Sequence, residues 1–352
     1  QARYFFGQQL RQLCVALAGQ VHEVHLIELA VLCVQEVHAL PLADDAELPG
    51  HTGGFFHTAI THHGVVEACA DGIFNANVFN AMKRKSLLLL CLLWSVLPFY
   101  AAQVDTLMVK SPSMNKEVQV VVVVPDIALG KKGVDCPVIY LLHGFGGNAK
   151  TWIGIRPELP QIADEKGIIF VCPDGKNSWY WDSPKNKDYR YETFVSSEMI
   201  NYIDKHYKTI ADRRGRAITG LSMGGHGALW NAIRHKDVFG AAGSTSGGVD
   251  IRPFPKNWLM SEQLGTIEEN RQVWDDHTVI NQVDKLQNGD LALIVDCGEA
   301  DFFLDVNKNL HNRLLELKID HDFITRPGAH NGEYWNNSID YQILFFSKFF
   351  KK

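Results

Sequence analysis

The stretch Arg216-Ala-Ile-Thr-Gly-Leu-Ser-Met-Gly-Gly-His-Gly-Ala-Leu-Trp230 decides the fold. Its first six residues are typical of a buried strand, and the Gly-rich remainder is typical of a helix start. The pentapeptide Gly220-Leu-Ser222-Met-Gly224 matches G-x-S-x-G, which in a strand-to-helix context predicts a nucleophile elbow. Glycines at both ends leave room for strand and helix to pass closely. Ser222 is therefore expected in a strained turn above the end of a sheet.

Two later segments each place an ionisable residue just past an apolar strand. Strand 291–296 leads into a loop that contains Asp301, and strand 321–326 leads into a loop that contains His330. Open α/β sheets bind ligands at the carboxyl ends of their strands. The chain order Ser, Asp, His is that of α/β-hydrolases and differs from the chymotrypsin and subtilisin orders. Asp296 is an alternative acid, but it ends a strand, which favours a structural carboxylate.

A Gly-rich turn upstream is the candidate oxyanion-binding segment. The apolar strand 137–142 leads into His143-Gly-Phe145-Gly-Gly147, whose backbone N–H groups can point at a developing oxyanion. His143 is interpreted as a turn residue beneath this segment rather than a general base. His226 is the histidine nearest to Ser222 in sequence, and it is kept as a minor competitor for the base.

Together these motifs resemble the putative-esterase (esterase D-like) branch of the α/β-hydrolases over about residues 104–350. That branch includes tributyrin esterases, S-formylglutathione hydrolases, and feruloyl and acetyl-xylan esterases. The resemblance implies Ser222 as nucleophile, Asp301 as acid and His330 as base, with the N–H groups of Phe145 and Met223 as the oxyanion hole. No cofactor or metal is expected, and the implied substrate is a small-molecule or carbohydrate ester.

The order of elements predicts an α/β fold with a doubly wound, mostly parallel sheet, because buried strands alternate with helical stretches. An antiparallel-type strand at 117–124 precedes buried strands at 137–142, 168–172, 216–221, 240–245, 291–296 and 321–326. Helices are predicted near 157–166, 192–206, 224–235, 304–317 and 337–350. Two segments, 176–191 and 250–282, fit the alternation poorly and follow strand ends, so they are candidates for pocket wall and lid.

Aromatic residues near these loops are candidate substrate contacts. Trp179, Tyr180 and Trp181 form a run that is interpreted as a platform for a sugar or phenolic ring, with Trp335 as a further substrate-binding residue. The alternative is that the run packs under a surface loop. Trp179 and Trp181 are expected to influence substrate choice more than the chemical step.

The first 102 residues differ from the rest. Residues 1–81 contain no Lys, Ser or Met but seven of the fifteen His, and they are interpreted as translated upstream sequence, with a small helical module as the alternative. Residues 82–102 combine a basic start, an apolar run and small final residues, which predicts a secretory signal peptide. The apolar run is too short to span a membrane. The esterase domain is then 103–352, secreted or periplasmic, without a stable membrane anchor.

Composition narrows the function classes. The formal net charge of the chain is −6, which argues against nucleic acid as a partner. Cys136, Cys172 and Cys297 are interpreted as buried free thiols. Three functions remain open: a carboxylic-ester hydrolase, an acyltransferase of the mycolyltransferase type, and a non-catalytic binding protein on a hydrolase fold. An S-formylglutathione hydrolase-like thioesterase is disfavoured by the signal peptide, and the sequence leaves the oligomeric state undecided.

Overall fold

An eight-stranded sheet forms the centre of the part that the computed structural model describes, residues 102–351. Its spatial order is β1-β2-β4-β3-β5-β6-β7-β8. The strands are β1 Gln103–Ser111, β2 Lys116–Val124, β3 Val138–Leu142, β4 Ile169–Pro173, β5 Arg216–Gly220, β6 Ala241–Thr245, β7 Ala292–Gly298 and β8 Asp322–Arg326. Strands β3 to β8 pair in parallel, whereas β2 pairs antiparallel with both β1 and β4.

Helices cover both faces of this sheet. They are α1 Thr151–Ile155, α2 Leu159–Lys166, α3 (Tyr191–Thr193, a π-helical turn Phe194–Glu198, and Met199–His206), α4 Met223–Arg234, α5 Met260–Leu264, α6 Arg271–Asp276, α7 Leu304–Glu316 and α8 Gly332–Phe349. One apolar core takes residues from α3, α4 and α7, and a second takes residues from α2 and α8. Alternate residues of β3 enter the two cores, because successive side chains of a strand point to opposite faces.

The predicted doubly wound, mostly parallel sheet is therefore confirmed. The structure adds an edge strand, β1, which the sequence prediction omitted because only Val109 and Ser111 of its nine residues are buried. Helices α1, α5 and α6 were also missed, since helices of five or six residues are too short to show a periodic pattern. Helix α8 begins at Gly332 rather than at 337, with Asn331 accepting a hydrogen bond from the Tyr334 N–H as its cap.

The cysteine prediction is confirmed, because Cys136, Cys172 and Cys297 are buried free thiols. Burial raises the pKa of the Cys136 thiol to about 11 and that of Cys172 to about 12, so neither is a thiolate at neutral pH. Within residues 102–351 no helix is both long and apolar enough to cross a membrane. The predictions for residues 1–81 and for the signal peptide up to residue 101 lie outside the described residues.

Candidate active site

Ser222 occupies a strained turn between β5 and α4. Its backbone has φ 55° and ψ −119°, a conformation that side-chain-bearing residues rarely adopt. A Cβ added to Gly220 would lie 2.5 Å from Gly224 backbone atoms, and one added to Gly224 would lie 2.2 Å from the Leu142 carbonyl oxygen. Both glycines are needed because strand, turn and helix pass within backbone contact, as the sequence analysis predicted.

Hydrogen bonds join Ser222, His330 and Asp301 in a chain. The Ser222 Oγ lies 2.9 Å from the His330 Nε2. The His330 Nδ1 lies 3.0 and 2.9 Å from the two Asp301 carboxylate oxygens. With the Nδ1 proton donated to the carboxylate, Nε2 is free to accept the serine proton. The structure thus brings together three residues that are distant in sequence, with 79 positions from Ser222 to Asp301 and 29 from Asp301 to His330.

The loops that carry Asp301 and His330 are fixed to each other. The Ala300 N–H donates to the Gly328 carbonyl (2.8 Å), which joins the loop after β7 to the loop after β8. A Cβ on Gly298 would lie 2.5 Å from that same carbonyl oxygen, so the approach requires glycine. Asp301 is 5% exposed, and one of its oxygens also accepts the Phe303 N–H (2.8 Å). The carboxylate is therefore held in place before any substrate binds.

Aromatic rings surround the His330 imidazole. Ring centroids of Phe302, Phe303 and Trp335 lie 4.3, 5.5 and 5.0 Å from it. Of the three candidate substrate-binding tryptophans, Trp335 is the one that reaches this histidine, edge to face and partly buried. This contact places Trp335 beside the site.

The turn after β3 packs directly on the elbow. A Cβ on Gly144 would lie 3.3 Å from the Ser222 Cβ. Buried His143 donates from Nδ1 to the Gly144 carbonyl (2.7 Å) and accepts the Gly175 N–H at Nε2 (2.8 Å), which fixes its tautomer. His143 is thus a turn residue, as the sequence analysis interpreted it.

The N–H groups of Phe145 and Met223 are the expected oxyanion donors. Among the backbone hydrogen bonds of residues 102–351, neither group has a partner. The turn that carries Phe145 is held further by the Asn177 side chain, whose Oδ1 accepts the Gly146 N–H (2.8 Å). Two unpaired donors on fixed backbone next to a serine hydroxyl can stabilise negative charge on a carbonyl oxygen.

The alternative acid, Asp296, is committed elsewhere. Its buried carboxylate is paired with the Arg326 guanidinium and accepts the Ser338 hydroxyl (2.6 Å). Burial raises the pKa of Asp296 above its ordinary value, against the effect of these partners. The carboxylate contacts no histidine among the described residues, which agrees with the structural role that the sequence analysis favoured.

The alternative base, His226, is fully buried, and its imidazole makes no hydrogen bond to the Ser222 hydroxyl; the two residues are joined only through the backbone, where the His226 N–H donates to the Ser222 carbonyl (3.1 Å). Its Nε2 donates to the His277 carbonyl (3.1 Å), and its ring lies against Trp179, Trp181 and Trp230. Burial lowers the pKa of His226 to about 4. A neutral imidazole without access to solvent or to the serine cannot take the serine proton.

The interpretation of Trp179 and Trp181 as a stacking platform needs correction. The two side chains are 1% and 0% exposed, and their rings stack on each other 5.6 Å apart inside the core. Neither offers a face to a substrate in this structure. Residues 178–181 turn inward because the aromatic side chains among them bury far more apolar area there than on a surface loop. The alternative, that the run is packing, is the one the structure supports.

Exposed aromatic surface next to the site comes from two residues that the sequence analysis did not select. Phe302 is 52% exposed, and its ring stacks with that of the partly buried Trp258 at 5.7 Å and 20°. Two sequence signals could have found them. Phe302 directly follows the predicted acid, and Trp258 lies in segment 250–282, which was predicted as lid or pocket wall.

Comparison with known proteins gives a consistent family. Residues 111–346 match the sequence model described as "Putative esterase". An acetyl esterase of Caldicellulosiruptor saccharolyticus is 28% identical over 225 residues, covering 60% of this chain and 83% of the relative. The solved structure of a ferulic acid esterase is 29% identical with a TM-score of 0.62, covering 71% of this chain and 99% of that one. These neighbours have the α/β-hydrolase fold, as predicted.

A relative with a different activity also matches. The diacylglycerol acyltransferase/mycolyltransferase Ag85A of Mycobacterium leprae is 34% identical over 172 residues, which cover 46% of this chain and 48% of the relative. The chain thus spans only about half the length of that protein.

Proposed function

The chain belongs to the putative esterase family and is a carboxylic-ester hydrolase, and we propose that it cleaves short-chain acyl or carbohydrate-linked esters through an acyl-enzyme on Ser222. The observation that carries the proposal is the continuous hydrogen-bonded chain from the Ser222 hydroxyl through His330 to Asp301. A serine hydroxyl is a weak nucleophile until a base removes its proton, and His330 is in position to do so.

In the first half-reaction, the Ser222 Oγ attacks the ester carbonyl carbon while its proton passes to the His330 Nε2. The carbonyl oxygen becomes an oxyanion, which the Phe145 and Met223 N–H groups stabilise. Loss of one such donor typically costs about 3 kcal/mol in the transition state. The carbon–oxygen bond to the alcohol then breaks, and the alcohol leaves with the proton from Nε2.

In the second half-reaction, water attacks the acyl-enzyme carbonyl and gives its proton to the same Nε2. Collapse of the second oxyanion releases the carboxylic acid and returns the proton to Ser222. Throughout the cycle Asp301 keeps the Nδ1 proton on the imidazole and stabilises the imidazolium. Its burial and its bond to the Phe303 N–H keep it in position for this role.

The proposed substrate range has support from the relatives that are named acetyl esterase and ferulic acid esterase. No cofactor is needed for this chemistry. A panel of ethyl acetate, ethyl butyrate, 4-nitrophenyl octanoate, methyl ferulate and acetylated xylan would define the acyl and alcohol preferences.

The direct test is Ser222→Ala. Because the variant has no oxygen to form the acyl-enzyme, we expect kcat to fall by at least about a thousandfold with an unchanged melting temperature. Ser347→Ala is the matched control: within residues 102–351 the Ser347 hydroxyl bonds only the Ile343 carbonyl of α8, so its removal should leave kcat unchanged. Retention of more than a few per cent of turnover in Ser222→Ala would show that the nucleophile is another group.

A transferase is the second candidate, because of the mycolyltransferase relative. The same acyl-enzyme can be attacked by a sugar hydroxyl instead of water. Product analysis with a fixed acyl donor and increasing concentrations of a disaccharide distinguishes the two functions. A constant yield of free acid supports the hydrolase, and a yield that shifts to acylated sugar supports the transferase.

We further propose that residues 103–352 act as the esterase domain in the periplasm or outside the cell. The support is the composition break before Met82 and the signal-like stretch that follows it. Fractionation of cells that express the chain from Met82 should place the activity outside the cytoplasm, and activity retained only in the cytoplasm would contradict the proposal.

A further inference from the structure

The stacked side chains of Phe302 and Trp258, here called the aromatic shelf, form an exposed apolar surface beside His330. The Phe302 ring centroid lies 4.3 Å from that of the imidazole and 5.7 Å from that of the Trp258 ring. Leu259, which follows Trp258, is 47% exposed. A contiguous patch of exposed apolar side chains is a feature of ligand-binding surfaces.

Packed neighbours hold the shelf in place. Trp258 and Leu259 both have left-handed backbone conformations, with φ of 49° and 54°, which are unfavourable for large side chains. The indole N–H of buried Trp179 donates to the Trp258 carbonyl (3.3 Å), and Phe254 packs against the Trp258 ring. Strain that the surrounding structure maintains in this way is typical of functional sites.

The reaction geometry decides which part of the substrate meets the shelf. The carbonyl oxygen must lie at the Phe145 and Met223 N–H groups, and the alcohol oxygen must come within hydrogen-bond reach of the His330 Nε2 to receive its proton. The group attached to that alcohol oxygen therefore lies next to the imidazole. Among the aromatic rings of residues 102–351 that lie against this imidazole, that of exposed Phe302 is the nearest.

We propose that the aromatic shelf binds the alcohol part of the ester and selects alcohols that carry a ring with a flat apolar face. The inference rests on the proposed acyl-enzyme function. Two aligned aromatic rings suit a planar partner, because stacked or tilted contacts bury a large apolar area at a small cost in side-chain entropy. An aryl alcohol and the C–H face of a sugar both provide such a surface.

The test compares Phe302→Ala and Trp258→Ala with the native protein on two series of esters. In the first series the acyl group is acetyl and the alcohol is ethanol, phenol or xylose. In the second series the alcohol is ethanol and the acyl group is acetyl, butyryl or feruloyl. The ratio of variant to native kcat/KM for each ester cancels the intrinsic reactivity of the leaving group.

We expect kcat/KM to fall about tenfold, mainly through KM, for the phenyl or the xylose ester, and less than twofold for every ethyl ester. Whichever ring ester loses activity identifies the ring as aryl or sugar. Leu315→Ala is the control, because that side chain is equally exposed but lies on α7. It should change none of the ratios.

Two results would overturn the proposal. If the variants lose kcat/KM on the butyryl or feruloyl ester and not on the phenyl or xylose ester, the shelf binds the acid part of the ester. An equal fall in kcat on every ester, ethyl acetate included, would show that Phe302 only supports the His330 ring. Failure of the underlying function has a different signature, since it appears as ester turnover retained by Ser222→Ala whatever these ratios are.

Discussion

His226 and His330 each lie among three aromatic rings, and only His330 has the surroundings of a base. His226 is enclosed by Trp179, Trp181 and Trp230, at centroid distances of 5.3, 5.1 and 6.0 Å. His330 is enclosed by Phe302, Phe303 and Trp335 at similar distances. Aromatic neighbours therefore do not by themselves distinguish a packed histidine from a reactive one.

The difference lies in access and in the partner of the second nitrogen. His226 is fully buried, its imidazole bonds no carboxylate of residues 102–351, and its pKa is lowered to about 4. His330 is partly exposed, with Asp301 on Nδ1 and Ser222 on Nε2. A base needs a carboxylate to stabilise its charged form and an open side where a substrate can meet it. Substitutions of Asp301, of His226 and of Trp179 test this comparison.

The largest expected effect comes from the two carboxylates near the end of β7. Asp301→Asn should lower kcat by about 10⁴-fold, because an amide cannot stabilise the imidazolium and selects the wrong tautomer of His330. Asp296→Asn should leave kcat within about threefold and lower the melting temperature instead, because it breaks the buried pair with Arg326. Steady-state kinetics and thermal unfolding of both variants provide the measurement. Collapse of kcat in Asp296→Asn with near-normal turnover in Asp301→Asn would reverse the two roles.

The sequence predicts the positions of Asp301 and His330 better than those of the aromatic residues. Asp301 and His330 could be located because each follows a strand that alternates with helices, and parallel strands bring their carboxyl ends to one edge. Trp179 and Trp181 share that position after a strand, yet they are buried. Burial of a loop side chain depends on packing against distant segments, here α4 and the residues near 258, which no local pattern encodes.

The same limit explains why Phe302 and Trp258 were not selected. Their contact joins residues 44 positions apart in sequence. It also depends on the left-handed backbone of Trp258 and Leu259, which the sequence does not predict because neither residue is glycine. By contrast the elbow was predictable in detail. Its strained residue is bracketed by Gly220 and Gly224, and each glycine has a steric reason that is visible in the motif itself.

We expect an effect of intermediate size from His226, in the pH dependence of the free energy of unfolding. The pKa of His226 is about 6.5 in the unfolded chain and about 4 in the folded one, so the unfolded state binds more protons between these values. Neutral His226 makes its full contribution to the free energy of unfolding above pH 6.5. This contribution, up to about 3 kcal/mol, is lost as the pH falls towards 4. In His226→Phe this loss should be absent, although the partly buried His277, whose pKa is also lowered by burial, retains its own dependence.

Denaturant unfolding of the native protein and of His226→Phe at pH 7.5 and pH 4.5 measures this difference. The free energy of unfolding should decrease more steeply in the native protein, while the pH dependence of kcat/KM stays the same in both. Parallel stability profiles would mean that His226 can charge in the folded state, and the contrast with His330 would then lose its basis.

The smallest expected effect concerns the link between the buried aromatic group and the aromatic shelf. In Trp179→Phe the Trp258 carbonyl loses its donor, and the left-handed backbone at Trp258 is freer to relax. A neutral hydrogen bond contributes about 1 kcal/mol, so KM for ring-bearing esters should rise two- to fivefold with kcat unchanged.

Trp181→Phe is the matched control, because it removes the same volume from the same stack but its indole nitrogen has no hydrogen-bond partner among the described residues. Both variants should lose similar thermal stability, and only Trp179→Phe should raise KM. An equal rise in both would show that the stack, and not the bond to the Trp258 carbonyl, positions the shelf.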